Sequence, residues 1–193
     1  GIMAFYPTQL EFQYTNPFMK ENMLQDVITK GHAEGIRVMV RFDFSRAHKS
    51  IFEKHPEWFY LSPKGERIVN DDMVAVSINA PYEQEQLFNI VGEVIERYAI
   101  DGIFLNMPGY QTRNPYVGKY HGIDQNEFEK KRFAVFSNGM KLPVVEDKND
   151  PVFRKYEEFK AFTTEDLMHR LHTLVKSKSN NIAICTYSEK YVD

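Results

Sequence analysis

The sequence predicts an α/β fold of the (β/α)8 TIM-barrel type, with only about strands 2–5 of the barrel present in one domain spanning residues 1–193. Three observations lead to this prediction. Strand-like apolar runs alternate with segments of helical periodicity, which is the element order of a parallel sheet. Polar residues follow the carboxyl ends of these runs, where barrels keep their active sites. A full barrel takes about 250 residues, so the predicted barrel is partial.

The first predicted elements are a helix and a strand. The helical pattern runs from about Pro17 to Ala33, with Asn16 as the N-cap and Gly35 as the stop. The first core strand then covers residues 36–44. One face of the helix carries three apolar residues: Leu24, Val27 and Ile28.

An elaborated loop follows this strand. Residues 58–61, a Pro-Lys-Gly turn and a second run through Val69 predict a surface hairpin. Residues 74–78 suggest a further short strand. We interpret the whole region as a loop on one face of the domain, outside the core sheet.

The second half of the chain repeats the alternation. A strongly amphipathic helix is predicted for Glu83–Tyr98 and a core strand for Gly102–Met107. Two more helices are predicted, over Gln125–Phe136 and Val152–Lys178, and a last core strand over residues 180–187. No glycine-rich phosphate-binding motif follows any strand, which argues against a nucleotide-binding fold.

Composition excludes several classes of partner. The net charge is -3 and no basic block occurs, so we expect no nucleic-acid partner. No apolar run reaches the ~18 residues of a membrane span, so no membrane partner is expected. The single cysteine, Cys185, cannot form an intramolecular disulfide. Both a cytoplasmic and an exported location stay open.

Neither a metal site nor a cofactor is predicted. His169 and His172 lie three residues apart on a predicted helix, one turn after Asp166, which would be a partial ligand set. Helices lie outside a barrel, however, so a solvated helix face explains this spacing better.

Two charged residues lie near the end of the first core strand. Arg41 and Asp43 alternate with phenylalanines, so both side chains should point to the same side of the sheet. If that side is the barrel interior, Asp43 is a candidate catalytic or hydroxyl-binding carboxylate. An internal ion pair between the two residues is the alternative.

The loop motif "HPEWF" combines a donor, a carboxylate and an aromatic ring. Sugars are bound by hydrogen bonds to their hydroxyls and by stacking of their C–H faces on rings, so His55 and Trp58 are candidate sugar-binding residues. The alternative is that Trp58 fills space beneath the loop while His55 caps local backbone.

Asn106 and Glu189 each follow a core strand. Neighbouring barrel strands can bring two such side chains to the separations of glycoside hydrolysis, about 5–5.5 Å for retention and about 6.5–9.5 Å for inversion. This chemistry needs two carboxyl groups, and an amide cannot attack an anomeric carbon. Asn106 can therefore only position a substrate or orient a neighbouring acid. A solvated loop charge is the alternative for Glu189.

Five segments together resemble the glycoside hydrolase family known as hypothetical glycosyl hydrolase 6, and more distantly the barrels of alpha-L-fucosidases and of the alpha-amylase superfamily. They are "LEFQYTNPF", "GIRVMVRFDFS", "HPEWFYLSPKGE", "DGIFLNMPGYQTR" and "NDPVFRKYEEFK". The resemblance covers nearly the whole chain but only the middle of the family's barrel. It implies that Glu189 matches the acid at the end of the fifth strand. Asn106 stands where alpha-amylase relatives have the nucleophilic aspartate.

Three hypotheses result. The first is a glycosidase in which Glu189 is the general acid, Asp43 is a base or hydroxyl ligand, and Arg41, Asn106, His55, Trp58 and Tyr110 contact carbohydrate. The second is a catalytically inactive carbohydrate-binding barrel. The third is a fragment of a longer glycosidase-like protein, whose exposed sheet edge would favour a homo-oligomer.

Overall fold

The computed structural model describes residues 2–106, 108–114 and 118–186. Its helices are α1 (Met23–Ala33), α2 (Lys49–Lys54), α3 (Leu87–Arg97), α4 (Glu127–Phe136) and α5 (Pro151–Lys178). Its strands are β1 (Met39–Asp43), β2 (Arg46–His48), β3 (Val69–Asn70), β4 (Met73–Ala75), β5 (Gly102–Asn106) and β6 (Ala183–Thr186). A 3₁₀ turn covers Pro56–Trp58, and a π-helical turn, Tyr82–Gln86, leads into α3.

The core sheet is parallel and has the order β1-β5-β6. This confirms the predicted α/β class with a parallel sheet. The predicted number of barrel strands, about four, is too high for the described residues, which contain three parallel strands. Before β1, Ala4 and Thr15 form only an isolated bridge, so the described N-terminal region adds no strand to the sheet.

The two faces of the parallel sheet differ in what covers them. Phe42, Ile103 and Leu105 point to the side of the helices and are buried. These strand residues pack against α3 and α5, whose buried side chains complete the core. The buried helix residues are Leu87, Ile90, Val91 and Val94 of α3, with Leu167, Leu171 and Val175 of α5.

The opposite face, which we call the bare face, carries Met39, Arg41, Phe104 and Cys185. The strand register places these residues side by side, Arg41 next to Phe104 and Phe104 next to Cys185. Met39, Arg41 and Cys185 are exposed, and Phe104 is half-buried. In a closed barrel this face of the strands points to the interior.

Helix α1 begins later than predicted. Asn22 is its N-cap and accepts a hydrogen bond from the Gln25 backbone, so the predicted N-cap Asn16 is wrong. Asn16 instead accepts from the Phe18 backbone in a local turn, which competes with helix. The predicted stop is confirmed: Gly35 has φ +72°, and the next residue, Ile36, donates back to the Gly31 carbonyl at 2.8 Å.

The loop between β1 and α3 forms a separate antiparallel sheet of order β2-β4-β3. This agrees with its interpretation as a region outside the core sheet. The predicted hairpin pairing is wrong, since Val69 pairs with Val74, and residues 58–61 contribute only a bridge from Phe59 to Val76. This sheet continues directly from β1 through Phe44 and Ser45, so it is anchored at the carboxyl end of that strand.

We predict that Ile103→Ala destabilises the fold strongly. Ile103 is fully buried in the central strand, so its truncation should lower the free energy of unfolding by about 2–5 kcal/mol, measured by urea titration. The same substitution at Ile36, which is 59% exposed, is the matched control and should change it by less than about 0.5 kcal/mol. Equal effects would contradict the assignment of β5 as the centre of the core.

Candidate functional site

Asp43 and Asn106 are direct partners at the carboxyl ends of adjacent strands. The register of β1 and β5 places the two residues side by side, and Asn106 Nδ2 donates to Asp43 Oδ2 at 2.7 Å. An amide at this position therefore serves as a hydrogen-bond donor that orients a carboxylate. The sequence predicted both residues as site residues, and the structure brings them together.

The second oxygen of Asp43 is also held. Asp43 Oδ1 accepts from the Ser45 backbone at 3.1 Å and from the Ser45 hydroxyl at 2.5 Å. The carboxylate is thus fixed from both sides, while its side chain stays 15% exposed. The carboxylate still has lone pairs that can accept a hydrogen bond from the hydroxyl group of a bound molecule.

Arg41 contributes little to this arrangement. Its Nη2 lies 3.9 Å from Asp43 Oδ2, and its side chain is 64% exposed. An exposed pair at this distance adds at most about 1 kcal/mol. The alternative of a structural ion pair is therefore weakly supported, and the guanidinium is free to reach a bound molecule above the bare face.

Glu83 is a third residue of this site, and the sequence analysis did not identify it as one. It lies in the π-helical turn before α3, is only 2% exposed, and its Oε1 has no hydrogen-bond partner. Burial, and then the negative charge of Asp43, raise the pKa of Glu83 well above its usual range. The available signal was its spacing: Glu83 precedes the buried Leu87 by four residues and so falls on the apolar stripe of the helix.

A small cavity of about 20 Å³ lies beside Glu83 and the ends of the two strands. The residues that line it include three polar ones, Ser45, Glu83 and Asn106. The other lining residues are apolar and include Phe42, Leu105 and Leu171. The cavity therefore lies beneath the strand ends, on the side of the sheet that the helices cover.

His55 and Trp58 form a stacked pair in the loop. Their rings are parallel with centroids 3.8 Å apart, and Trp58 is only 9% exposed. The indole also contacts the core, where its ring centroid lies 6.3 Å from that of Tyr82. One face of the indole is thus covered by His55, and the sugar-stacking role of this pair stays a prediction.

Tyr110 belongs to a different group of polar residues. Its hydroxyl accepts from Asn79 Nδ2 at 3.2 Å, and the same nitrogen donates to Glu129 Oε2. Burial and the Glu129 carboxyl raise the pKa of Tyr110 above its usual value. We call Asn79, Tyr110, Asp124, Glu129 and Tyr156 the Glu129 cluster.

The Glu129 cluster contains two buried carboxyl groups. Burial, and then the charge of Asp124, raise the pKa of Glu129 to about 8. Burial also raises the pKa of Asp124, although its carboxylate accepts from the backbone of Leu61 and Asn126, both at 3.0 Å. The cluster ties the loop after β5 to α4 and α5, so its charge state bears on stability.

The remaining predicted residues are less informative. Glu189 lies outside the described residues. Within the part of the chain that the structure describes, no three metal-binding side chains gather. Asp166, the residue considered together with His169 and His172, instead accepts from Arg132 at 2.7 Å and Arg170 at 3.1 Å. Among the described helices, none is long and apolar enough to cross a bilayer.

The fold resembles that of a glycoside hydrolase domain. The chain superposes on alpha-L-fucosidase isoenzyme 2 from Paenibacillus thiaminolyticus with a TM-score of 0.72, at 15% identity, over 96% of this chain and 25% of that one. An alpha-galactosidase from Lactobacillus brevis matches with a TM-score of 0.48, at 12% identity, over 84% of this chain and 18% of that one. The chain thus spans a quarter or less of these enzymes.

The class is therefore an α/β domain with the parallel sheet of a glycosidase and polar side chains at the carboxyl ends of its strands. More narrowly, the chain belongs to the family described as hypothetical glycosyl hydrolase 6, whose model matches residues 1–107 of its 193. This agrees with the resemblance seen in the sequence. No curated protein sequence matches the chain.

The raised pKa of Glu129 predicts a pH-dependent stability. The native state keeps this proton up to about pH 8, whereas the unfolded chain loses it near pH 4.5, so unfolding becomes easier as the pH rises through that window. Glu129→Gln keeps an oxygen acceptor for Asn79 and cannot ionise. Urea titrations at pH 5, 6.5 and 8 should therefore show the variant gaining stability relative to the wild type as the pH rises.

For one retained proton, the free energy of unfolding of the wild type should fall by at most about 1.4 kcal/mol per pH unit. Glu158→Gln, at a solvent-exposed position of α5, is the control and should follow the wild type at each pH. A constant offset between Glu129→Gln and the wild type at all three pH values would contradict the assignment.

Proposed function

We propose that the chain is part of a glycoside hydrolase whose carbohydrate site lies at the carboxyl ends of β1 and β5. The observation that carries this proposal is the Asp43 carboxylate, held at the strand end by Asn106 and Ser45 and still open to solvent. Family membership and the fucosidase-like fold support the same conclusion.

Glycoside cleavage needs one carboxyl group that gives a proton and a second that stays ionised. Both oxygens of Asp43 already accept hydrogen bonds, so its carboxyl group is held in one orientation at the strand end. Asp43 is therefore the candidate for the second role, either as a base for water or as a ligand for a sugar hydroxyl. Glu189 is the candidate for the general acid, as strand order in the resembling families implies.

Asn106 has a supporting role in this scheme. It donates its amide proton to Asp43 and cannot form a covalent glycosyl intermediate. Arg41 lies on the bare face with its Nη2 3.9 Å from Asp43 Oδ2, so its guanidinium could donate to a sugar bound there. His55 and Trp58 would shape the outer part of the site, whereas Tyr110 contacts Asn79 in the Glu129 cluster.

A catalytically inactive carbohydrate-binding domain is the second candidate, and Asn106 is the observation that favours it. Alpha-amylase relatives have an aspartate nucleophile at this position, and here that carboxylate is absent. Both candidates require that Asp43 binds sugar, and they differ in whether the bound sugar is cleaved.

We predict that Asp43→Asn removes carbohydrate binding. Losing the ionised acceptor should weaken the affinity at least tenfold, about 1.4 kcal/mol. The measurement is a thermal-shift and calorimetric panel on the whole chain that includes L-fucose, D-galactose and their oligosaccharides. Asp72→Asn, which changes an exposed carboxylate in the β3–β4 turn, is the matched control and should bind like the wild type. A cooperatively melting wild-type chain that binds no sugar would refute the site.

Turnover distinguishes the two candidates and tests Glu189. On a chain that hydrolyses glycosides, Glu189→Gln should lower kcat about 10²–10⁴-fold for substrates with an alkyl leaving group. Substrates with a p-nitrophenyl leaving group should lose much less, because that group departs without protonation. Equal losses for both substrates would show that Glu189 is not the general acid. An absence of turnover despite sugar binding would favour the inactive binding domain.

A further inference from the structure

The buried carboxyl group of Glu83 has no evident structural purpose. Its Oε1 lacks a hydrogen-bond partner although the side chain is 98% removed from solvent, and leaving a buried polar atom unpaired costs about 1–3 kcal/mol. The neighbouring Gln84 already makes the contacts that hold the turn, to the Ile78 carbonyl and to Arg170. An apolar residue at position 83 would avoid this cost, so the carboxyl group calls for another explanation.

The cavity beside Glu83 supplies that explanation. Its volume of about 20 Å³ is sufficient for one water molecule, which needs roughly 10–15 Å³. A buried water also needs two to four polar partners, and Ser45, Glu83 and Asn106 line the cavity. Ser45 and Asn106 are the two residues whose side chains hold Asp43. One water bound to Glu83 would therefore lie beside the two residues that orient the Asp43 carboxylate.

We propose that Glu83 is a positioning residue of the Asp43 site, which acts through one enclosed water molecule on Asn106 and Ser45. Glu83 does not touch a substrate in this arrangement, because its side chain is buried and the cavity lies on the helix-covered side of the sheet, beside Phe42 and Leu105. The effect of Glu83 on carbohydrate binding rests on the proposed function, whereas its effect on the Asn106 side chain can be measured without any carbohydrate.

The protonation state of Glu83 fits this role. Burial and the charge of Asp43 favour the neutral carboxylic acid, which can both donate to and accept from water. Glutamine has the same shape and the same two capabilities. Methionine has a similar length, fills the space without branching, and offers the water no strong hydrogen bond.

The test observes the Asn106 side-chain amide by NMR in ¹⁵N-labelled, sugar-free protein, with the signals assigned from their loss in Asn106→Ser. In the wild type, the Asn106 amide protons should show a cross-relaxation peak to a long-lived water. Glu83→Met should remove this peak and shift both amide protons, whereas Glu83→Gln should retain the peak and the shifts. Leu171→Met changes an apolar wall of the same cavity and should leave the peak in place.

Two outcomes would overturn the proposal. One is the absence of the water peak from the wild-type spectrum, a measurement that does not depend on any variant folding. The other is an unchanged Asn106 signal in Glu83→Met. Because no sugar is present, failure of the sugar panel would refute the proposed function and leave this result standing.

Discussion

The parallel pairing of β1 with β5 is the constraint on which the site depends. Its register makes Asp43 and Asn106 the last partners of the two strands, so the amide and the carboxylate meet without help from a flexible loop. A shift of the register by one residue would turn Asp43 toward the helices and destroy both the core and the site. Packing of Phe42 and Leu105 against the helices therefore stabilises the geometry of the polar residues that follow them.

Among the residues that the structure describes, three carboxyl groups are buried: Glu83, Asp124 and Glu129. Each has a raised pKa because burial disfavours the charged form. Glu83 adjoins the strand ends, and the other two join the long loop after β5 to the last helices. These buried acidic groups thus lie in two separate places, Glu83 beside the candidate site and the other two in the Glu129 cluster.

Much of this arrangement could be predicted from the sequence, because it follows from periodicity. The apolar stripe that begins at Leu87 predicted the helix, and the polar residues after the strands predicted Asp43 and Asn106 as site residues. Glu83 was missed because a carboxyl group beside the start of a helix ordinarily indicates a favourable charge and not a buried acid. The start of α1 was misplaced because Asn16 and Asn22 are both suitable caps, and the Asn16 side chain is engaged in a local turn with the Phe18 backbone. Tyr110 was predicted to contact carbohydrate, and the contact that the structure shows is with Asn79, in a cluster that connects distant segments.

The bare face of the sheet carries the only thiol of the chain. Cys185 is exposed there, in register with Phe104 and thus in the same row as Arg41. Its rate of alkylation consequently reports on whatever covers that face, whether a further part of a barrel, a second copy or a bound oligosaccharide. The thiol is therefore a single-site chemical probe for the state of the bare face, and no residue has to be introduced to use it.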